Sequence, residues 1–390
     1  MSKFTTKGGA SLFVVIFTTL VLTIISVGFT QLMLRNQDET QVSDLSQRAY
    51  NSALAGVEDA KRALVAYAKG DPKAASAIDN HSQECSSVSQ ALTGDDPSAY
   101  KETQVGNSDD NQAYTCVKIT MQTDDYEGSV ASDTPNVVPL EGTDKFNTIT
   151  VSWFTASDAG ATSDTANFYD PGAGLTTLPT VSEWQNANPA EDGDTNPGGT
   201  PPPILRVQYI PYGGDAEDLD SSSITKSAHT LFLYPYDTGT PTVTPSTLSF
   251  ALDVRKNKDG KPMPTNCANS YSANLDGICE AKIAIPGDKA KGYLQITPLY
   301  NSTSFTVTLS KGANPVQFNG VEPIVDSTGR AADLFRRVSA RVRVGGVSLP
   351  YPQASLNTSG NLCKNFSLKS ATNEFDAGNP VCSPVSSDDD

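Results

Sequence analysis

Nothing in this chain restricts its fold as tightly as the stretch from Gly8 to Leu34, which contains no charged residue. Lys3 and Lys7 precede it and Arg35 closes it. An α-helix rises about 1.5 Å per residue, so a run of this length crosses a hydrocarbon core about 30 Å thick. Lipid offers the backbone no hydrogen bonds, and a helix satisfies its own. The β-branched residues Val14, Val15, Ile16, Thr18, Thr19 and Val21 would weaken a helix in water; in lipid, apolarity outweighs that penalty. The stretch predicts one membrane-spanning helix. Three fates compete: a cleaved secretory signal, a plain anchor, and a helix trimmed ahead of its apolar run, after Gly8 or Gly9. A secretory signal has an apolar core of about 7–15 residues followed by a small-residue site. This run is longer, and Gln31 to Asn36 offers no such site.

Helical periodicity continues beyond the span. Val42, Leu45, Ala49, Ala53, Val57, Ala60, Leu64 and Ala68 recur at intervals of three and four, an apolar stripe, and no proline falls between Ala10 and Lys69. Gly70-Asp71-Pro72 is a stop signal, since Gly suits a left-handed cap and Pro cannot continue the helix. One helix of about sixty residues would be about 90 Å long, apolar all round in its first half and amphipathic in its second. We read the stripe as a filament packing face, with the helix leaving the membrane to pack against copies of itself.

Two short stretches carry a family resemblance. Lys7-Gly8-Gly9 stands before Ala10-Ser11-Leu12, and Arg48-Ala49-Tyr50-Asn51-Ser52-Ala53-Leu54-Ala55-Gly56-Val57-Glu58-Asp59-Ala60 is Ala-rich with an Ala-Gly-x-Glu-x-Ala core. Both resemble the type IV pilin family, most closely its PilX-type minor pilins, over roughly the first seventy residues. The resemblance implies a processing junction at Gly8, Gly9 and Ala10, cut by prepilin peptidase. It implies other pilins as partners, and storage in the cytoplasmic membrane before export to a pilus at the cell surface. Two positions depart from the family: the first mature residue would be Gly9 or Ala10 instead of Phe, and the fifth would be Phe13 or Val14 instead of Glu. The missing carboxylate fits a minor or tip subunit.

The chain has 390 residues and a net charge of −16. That charge argues against nucleic acid as a partner and fits an exposed, soluble surface. The leader lysines place the N-terminus in the cytoplasm and the bulk outside it. Six cysteines, Cys85, Cys116, Cys267, Cys279, Cys363 and Cys382, all follow the span. Six thiols allow 15 connectivities. Pairing between sequence neighbours is the simplest: Cys85–Cys116, Cys267–Cys279 and Cys363–Cys382, the last resembling the C-terminal disulfide loop of many pilins. With no C-x₂-C spacing and only His81 and His229, no metal site or other cofactor is expected.

Beyond the helix, one short helix is expected within Lys73–Leu92. Strands are expected at Ala113–Met121, from Asn147 on, and at Ile204–Ile210, His229–Tyr236, Thr247–Arg255, Ala281–Ile285, Gly292–Leu299, Ser304–Ser310 and Arg336–Val344, with period-two alternation in the first two, in Thr247–Arg255 and in the last. Ser157 to Pro203 carries almost no periodicity, and reads either as a mobile surface loop or as a contact surface built on Tyr169 and Trp184. The fold class is α+β: a long N-terminal helix followed by a large, mainly antiparallel, pilin-like β region. Its divisions are leader 1–9, helix 10–70, short helix and polar region 71–143, β domain 144–360, and a disulfide-bounded loop with acidic tail 361–390.

No catalytic motif stands out, and His229 precedes Leu231-Phe232-Leu233 in an expected strand, where a structural role fits better than that of a base. The Asp-rich turns at Asp109-Asp110-Asn111 and Glu191-Asp192-Gly193-Asp194 could offer oxygens to Ca²⁺, but neither has EF-hand spacing. Arg336, Arg337, Arg341 and Arg343 form a basic stripe, either an edge guard or a docking surface for an acidic neighbour. The chain is therefore expected to be a minor pilin or pilus-tip subunit, not an enzyme, that serves assembly or adhesion to a host-cell or surface ligand. The rival is a single-pass adhesin that never polymerises; a membrane-anchored enzyme is a weaker third.

Overall fold

A computed structural model describes residues 9–94, 102–106, 111–170, 178–185, 198–212, 228–250, 262–271 and 276–343, with two further strands at 367–368 and 375–376. Helix α1 runs from Gly9 to Ala68 without a break. It ends where the sequence predicts. Gly70 takes a positive φ of 77°, and its N–H donates to Tyr67 O while that of Asp71 donates to Ala66 O. These two bonds satisfy carbonyls that the last turn leaves open. Asp71 then caps α2 (Pro72–His81), accepting from Lys73 N at 2.9 Å and Ala74 N at 3.1 Å. A second short helix, α3 (Ser87–Thr93), follows, so the single helix expected there is two.

The strands in chain order are β1 (Thr103–Gln104), β2 (Gln112–Thr123), β3 (Asp125–Val130), β4 (Asn136–Trp153), β5 (Ile204–Tyr212), β6 (His229–Asp237), β7 (Ser246–Ser249), β8 (Met263–Cys267), β9 (Cys279–Leu299), β10 (Thr303–Lys311), β11 (Asn314–Val316), β12 (Phe318–Ala331), β13 (Leu334–Arg341), β14 (Ser367–Leu368) and β15 (Phe375–Asp376). Two helical turns, α4 (Ala156–Ala159) and α5 (Val181–Gln185), lie between β4 and β5. β14 and β15 pair with each other in a separate unit.

The sheet has two parts. The first is the antiparallel set β1-β2-β12-β13, on which the second half of α1 lies. The second is built on two long bent strands, β4 and β9, paired from Asn136↔Ile296 to Trp153↔Cys279 with bulges between. β10 and β3 extend the β4 side. On the other side β5, β6 and β8 follow β9, and β8 returns to β9 at Cys267↔Cys279, so this part closes on itself. Its inward faces supply the main core: Ile149, Val151, Trp153, Leu205, Val207, Tyr209, Leu231, Leu233, Ile283, Leu294 and Ile296. Among the described residues, the two parts are joined at the ladder pair Phe318↔Gly142, with Thr143 N donating to Gln317 O beside it at 2.8 Å.

Alternation located most of this framework. Ile149, Val151 and Trp153 are fully buried, and β5, β6 and β10 fall within a few residues of expectation. Three differences matter. Ala281–Ile285 and Gly292–Leu299 are one strand, β9, whose middle bulges without turning back. β4 begins eleven residues before Asn147, at Asn136. β3, β8 and above all β12 have no counterpart in the sequence reading. The expected strand at Thr247–Arg255 is seen only as β7; residues 251–260 lie outside the described ones.

Candidate functional site

Helix α1 serves two environments, and its side chains divide accordingly. From Phe13 to Leu34 the apolar residues stand free of the rest of the protein: Phe13 is 78% exposed, Phe17 63% and Leu32 60%. This is the one described helix long and apolar enough to cross a membrane. Its threonine hydroxyls are satisfied within it. Thr18 and Thr19 donate to Val15 O at 3.0 Å, Thr23 to Thr19 O at 2.7 Å and Thr30 to Ser26 O at 2.8 Å. A threonine bonded back to its own helix turns a methyl outward, so these hydroxyls are compatible with a membrane-crossing helix.

The second half is seated on β2, β12 and β13. Ala49, Ala53, Val57, Ala60 and Leu64 are all buried, together with Ser52, Gly56 and Ala63. Their partners include Tyr114, Val117 and Ile119 of β2, Val325 of β12 and the half-buried Val338 and Ala340 of β13. This corrects the reading of the stripe. Five of its eight residues face the chain's own sheet and are not available to a neighbouring copy. Of the other three, Val42 and Ala68 are exposed and Leu45 is half-buried. The periodicity was a true sign of a buried face, but periodicity carries no information on whether the covering surface belongs to the same chain.

The seat is close because both surfaces are made of small residues. A methyl group built on Gly56 would meet Ser327 Oγ, and Val117 Cγ2 at 2.9 Å; one on Gly329 would overlap the backbone of Ala49 and Ala53. Ser327 is fully buried. Gly329 and Ser327 belong to β12, the strand that alternation did not reveal. The signal was present as complementarity: Ser52, Ala53 and Gly56 on the helix have small counterparts in Ser327 and Gly329.

Every arginine of the basic stripe is already engaged. Arg336 Nε donates to Ser46 Oγ of α1 at 2.8 Å, and Arg337 Nε to Asp326 Oδ1 at 2.6 Å. Arg341 reaches Asp125 at 2.8 Å, Glu127 at 3.1 Å and Glu322 at 3.2 Å. Arg343 Nε donates to Glu322 Oε1 at 2.9 Å while its guanidinium lies 4.9 Å from the Tyr126 ring centre. Glu322 is only 2% exposed, and a buried carboxylate needs such partners. Arg341 and Arg343 thus clamp the helix-bearing sheet to β3, whereas Arg336 and Arg337 stay exposed, bonded to Ser46 of α1 and Asp326 of β12.

The aperiodic excursion is pinned by aromatics. Trp184, 1% exposed, stacks on Tyr300 at 5.0 Å and 17°, tilts against Tyr169 at 5.0 Å and meets Tyr234 edge-on at 6.3 Å. Tyr234 OH donates to Tyr169 O at 3.1 Å and Tyr300 OH to Pro179 O at 2.5 Å. Trp184 is therefore an anchor for residues 178–185 rather than part of a contact surface. Residues 171–177 and 186–197 lie outside the described ones, and the Glu191–Asp194 turn with them, as does Asp109-Asp110.

Two disulfides match sequence-neighbour pairing: Cys85–Cys116 and Cys267–Cys279. Cys363 and Cys382 lie outside the described residues, as does Gly8; Gly9 and Ala10 form the first turn of α1. Half-buried His229 stacks on Tyr209 and meets Phe250 at a tilt of 40°, and His81 meets Glu84 at 3.0 Å at the end of α2. Among the described residues no three His, Cys, Asp or Glu side chains are grouped to hold a metal. Comparison with protein-family models, with curated proteins and with solved structures finds no match to this chain.

Proposed function

We propose that the protein is a pilin-like minor or tip subunit of a type IV pilus-like filament, serving assembly, surface adhesion or both. One observation carries this reading: a single unbroken helix whose first half is apolar and uncovered and whose second half is locked onto the chain's own antiparallel sheet. Burying one large aliphatic side chain is worth roughly 1.5–3 kcal/mol. The residues from Phe13 to Leu34 therefore require lipid, or the same half of neighbouring subunits, around them at all times. A helix that can exchange one cover for the other suits a subunit stored in the cytoplasmic membrane and then moved into a fibre. The tight seat of its second half makes helix and β region one mechanical piece, so that movement of the helix carries the exported part with it.

Prepilin peptidase would act at Gly8, Gly9 and Ala10, other pilins would be the neighbours, and the β region would be the part that meets a surface or a host cell. Mass spectrometry of the N-terminus, taken on both membrane and sheared-fibre fractions, tests this. Mature chains beginning at Gly9 or Ala10 and recovered with fibres are expected. Chains that keep Met1 and occur in membranes alone would instead indicate a single-pass adhesin that does not polymerise.

A further inference from the structure

The outer edge of β2 is not left open where β1 ends. β1 pairs only with Ala113 and Tyr114. Beyond it, the linker between α2 and α3 takes the place of a strand. Ile119 N donates to Ser82 O at 2.7 Å, Gln83 Nε2 donates to Ile119 O at 2.8 Å, and Ser87 Oγ reaches Val117 O at 3.4 Å. These are the backbone groups of β2 that point away from β12, and an uncovered row of them is what extended strands add to. The Cys85–Cys116 disulfide fastens this linker to the same strand. Both of its cysteines are half-buried, whereas Cys267 and Cys279 are fully buried. Thiol–disulfide exchange needs access to a sulfur, so the two bridges differ in what a soluble thiol can reach.

We propose that the Ser82–Ser86 linker is a thiol-sensitive latch over the outer edge of β2 at Ile119. The reductant is a dithiol. Its thiolate attacks one protein sulfur, the Cys85–Cys116 bond breaks, and the other sulfur leaves as thiolate. The second thiol of the reductant then resolves the mixed disulfide, so two electrons and two protons pass to the cysteines and the reductant ends as a cyclic disulfide. The apolar contacts of Ala74, Ala77, Ile78 and Val88 keep α2 and α3 seated, so opening is confined to the linker and bares the outward backbone N–H and C=O of Ile119.

The test uses the full-length protein in detergent, titrated with dithiothreitol under native conditions, alkylated with iodoacetamide and mapped by mass spectrometry. Cys85 and Cys116 should be alkylated at concentrations that leave Cys267–Cys279 joined. Hydrogen exchange at the Ile119 amide should then quicken by about tenfold or more, since its bond to Ser82 is the latch itself. The double variant Cys85→Ser/Cys116→Ser should show the fast rate without reductant and no response to it. Opening of Cys267–Cys279 first, or an Ile119 amide that stays equally protected in the reduced native protein, would overturn the proposal.

Discussion

Between Gly329 of β12 and the Ala49–Ala53 turn of α1 there is no room for a side chain. Glycine is required here for the approach of two backbones rather than for an unusual φ. Replacing it with valine must push the helix off the sheet, and overpacking of this kind costs about 1–3 kcal/mol. We expect Gly329→Val to lower the urea midpoint accordingly, while Gly70→Ala should act only through the strain of its positive φ; chemical denaturation of both variants separates the effects. At this scale the sequence was only partly legible. The pairs Cys85–Cys116 and Cys267–Cys279 could be guessed because neighbours in sequence can be bridged without a fold-wide argument. The roles of Gly329 and Ser327 could not, because each is defined by helix residues far away in the chain.

Helix α1 was the most legible element, because its composition, its period and its Gly-Asp-Pro stop are all local signals. Its uncovered half makes a direct prediction. An arginine at the centre of a membrane-spanning helix costs about 2.5–3.5 kcal/mol of insertion free energy. Ile24→Arg should shift a large share of the protein from the membrane to the soluble or degraded fraction, as read by membrane flotation. Leu54→Arg, on the partly exposed side of the seated half, should not. Among the strands, those with a clean period of two were found, and those bearing bulges or breakers were not. β12 carries Gly320, Pro323 and Gly329, with a register shift between Asn319 and Ile324. The same small residues that make it a seat for the helix remove the apolar alternation by which a strand is recognised.

Across the molecule, the Phe318↔Gly142 pair, the ion pairs from Arg341 to Asp125 and Glu127, and the packing of Phe318 and Val321 into the main core connect the helix-bearing sheet to the larger one. Elsewhere on the helix-bearing sheet, the hydrogen bond from Arg330 holds the Glu102 carboxyl below the ordinary carboxylate range, and Arg337 does the same to Asp326. A depressed pKa contributes stability above the unfolded value, about 4, and that contribution is lost as pH falls through the folded value. We therefore expect the urea midpoint to hold steady from neutral pH down to about 4.5 and to fall below that. In Arg337→Gln the part of the fall due to Asp326 should be missing; an acid limb identical to that of the unaltered protein would show that this pair does not contribute. Comparing the two proteins at each pH also removes the general effect of a net charge of −16 that is progressively neutralised.

The sequence alone determined the membrane-length helix, its amphipathic continuation, its stop and the presence of an antiparallel β region, since each depends on residues close together in the chain. The tertiary structure decided what covers the helix, where the arginines of β13 are spent, and how the larger sheet closes at Cys267 and Cys279. Those outcomes depend on which distant surfaces meet, and an apolar or charged face looks the same in sequence whether its partner is its own chain, another copy or lipid.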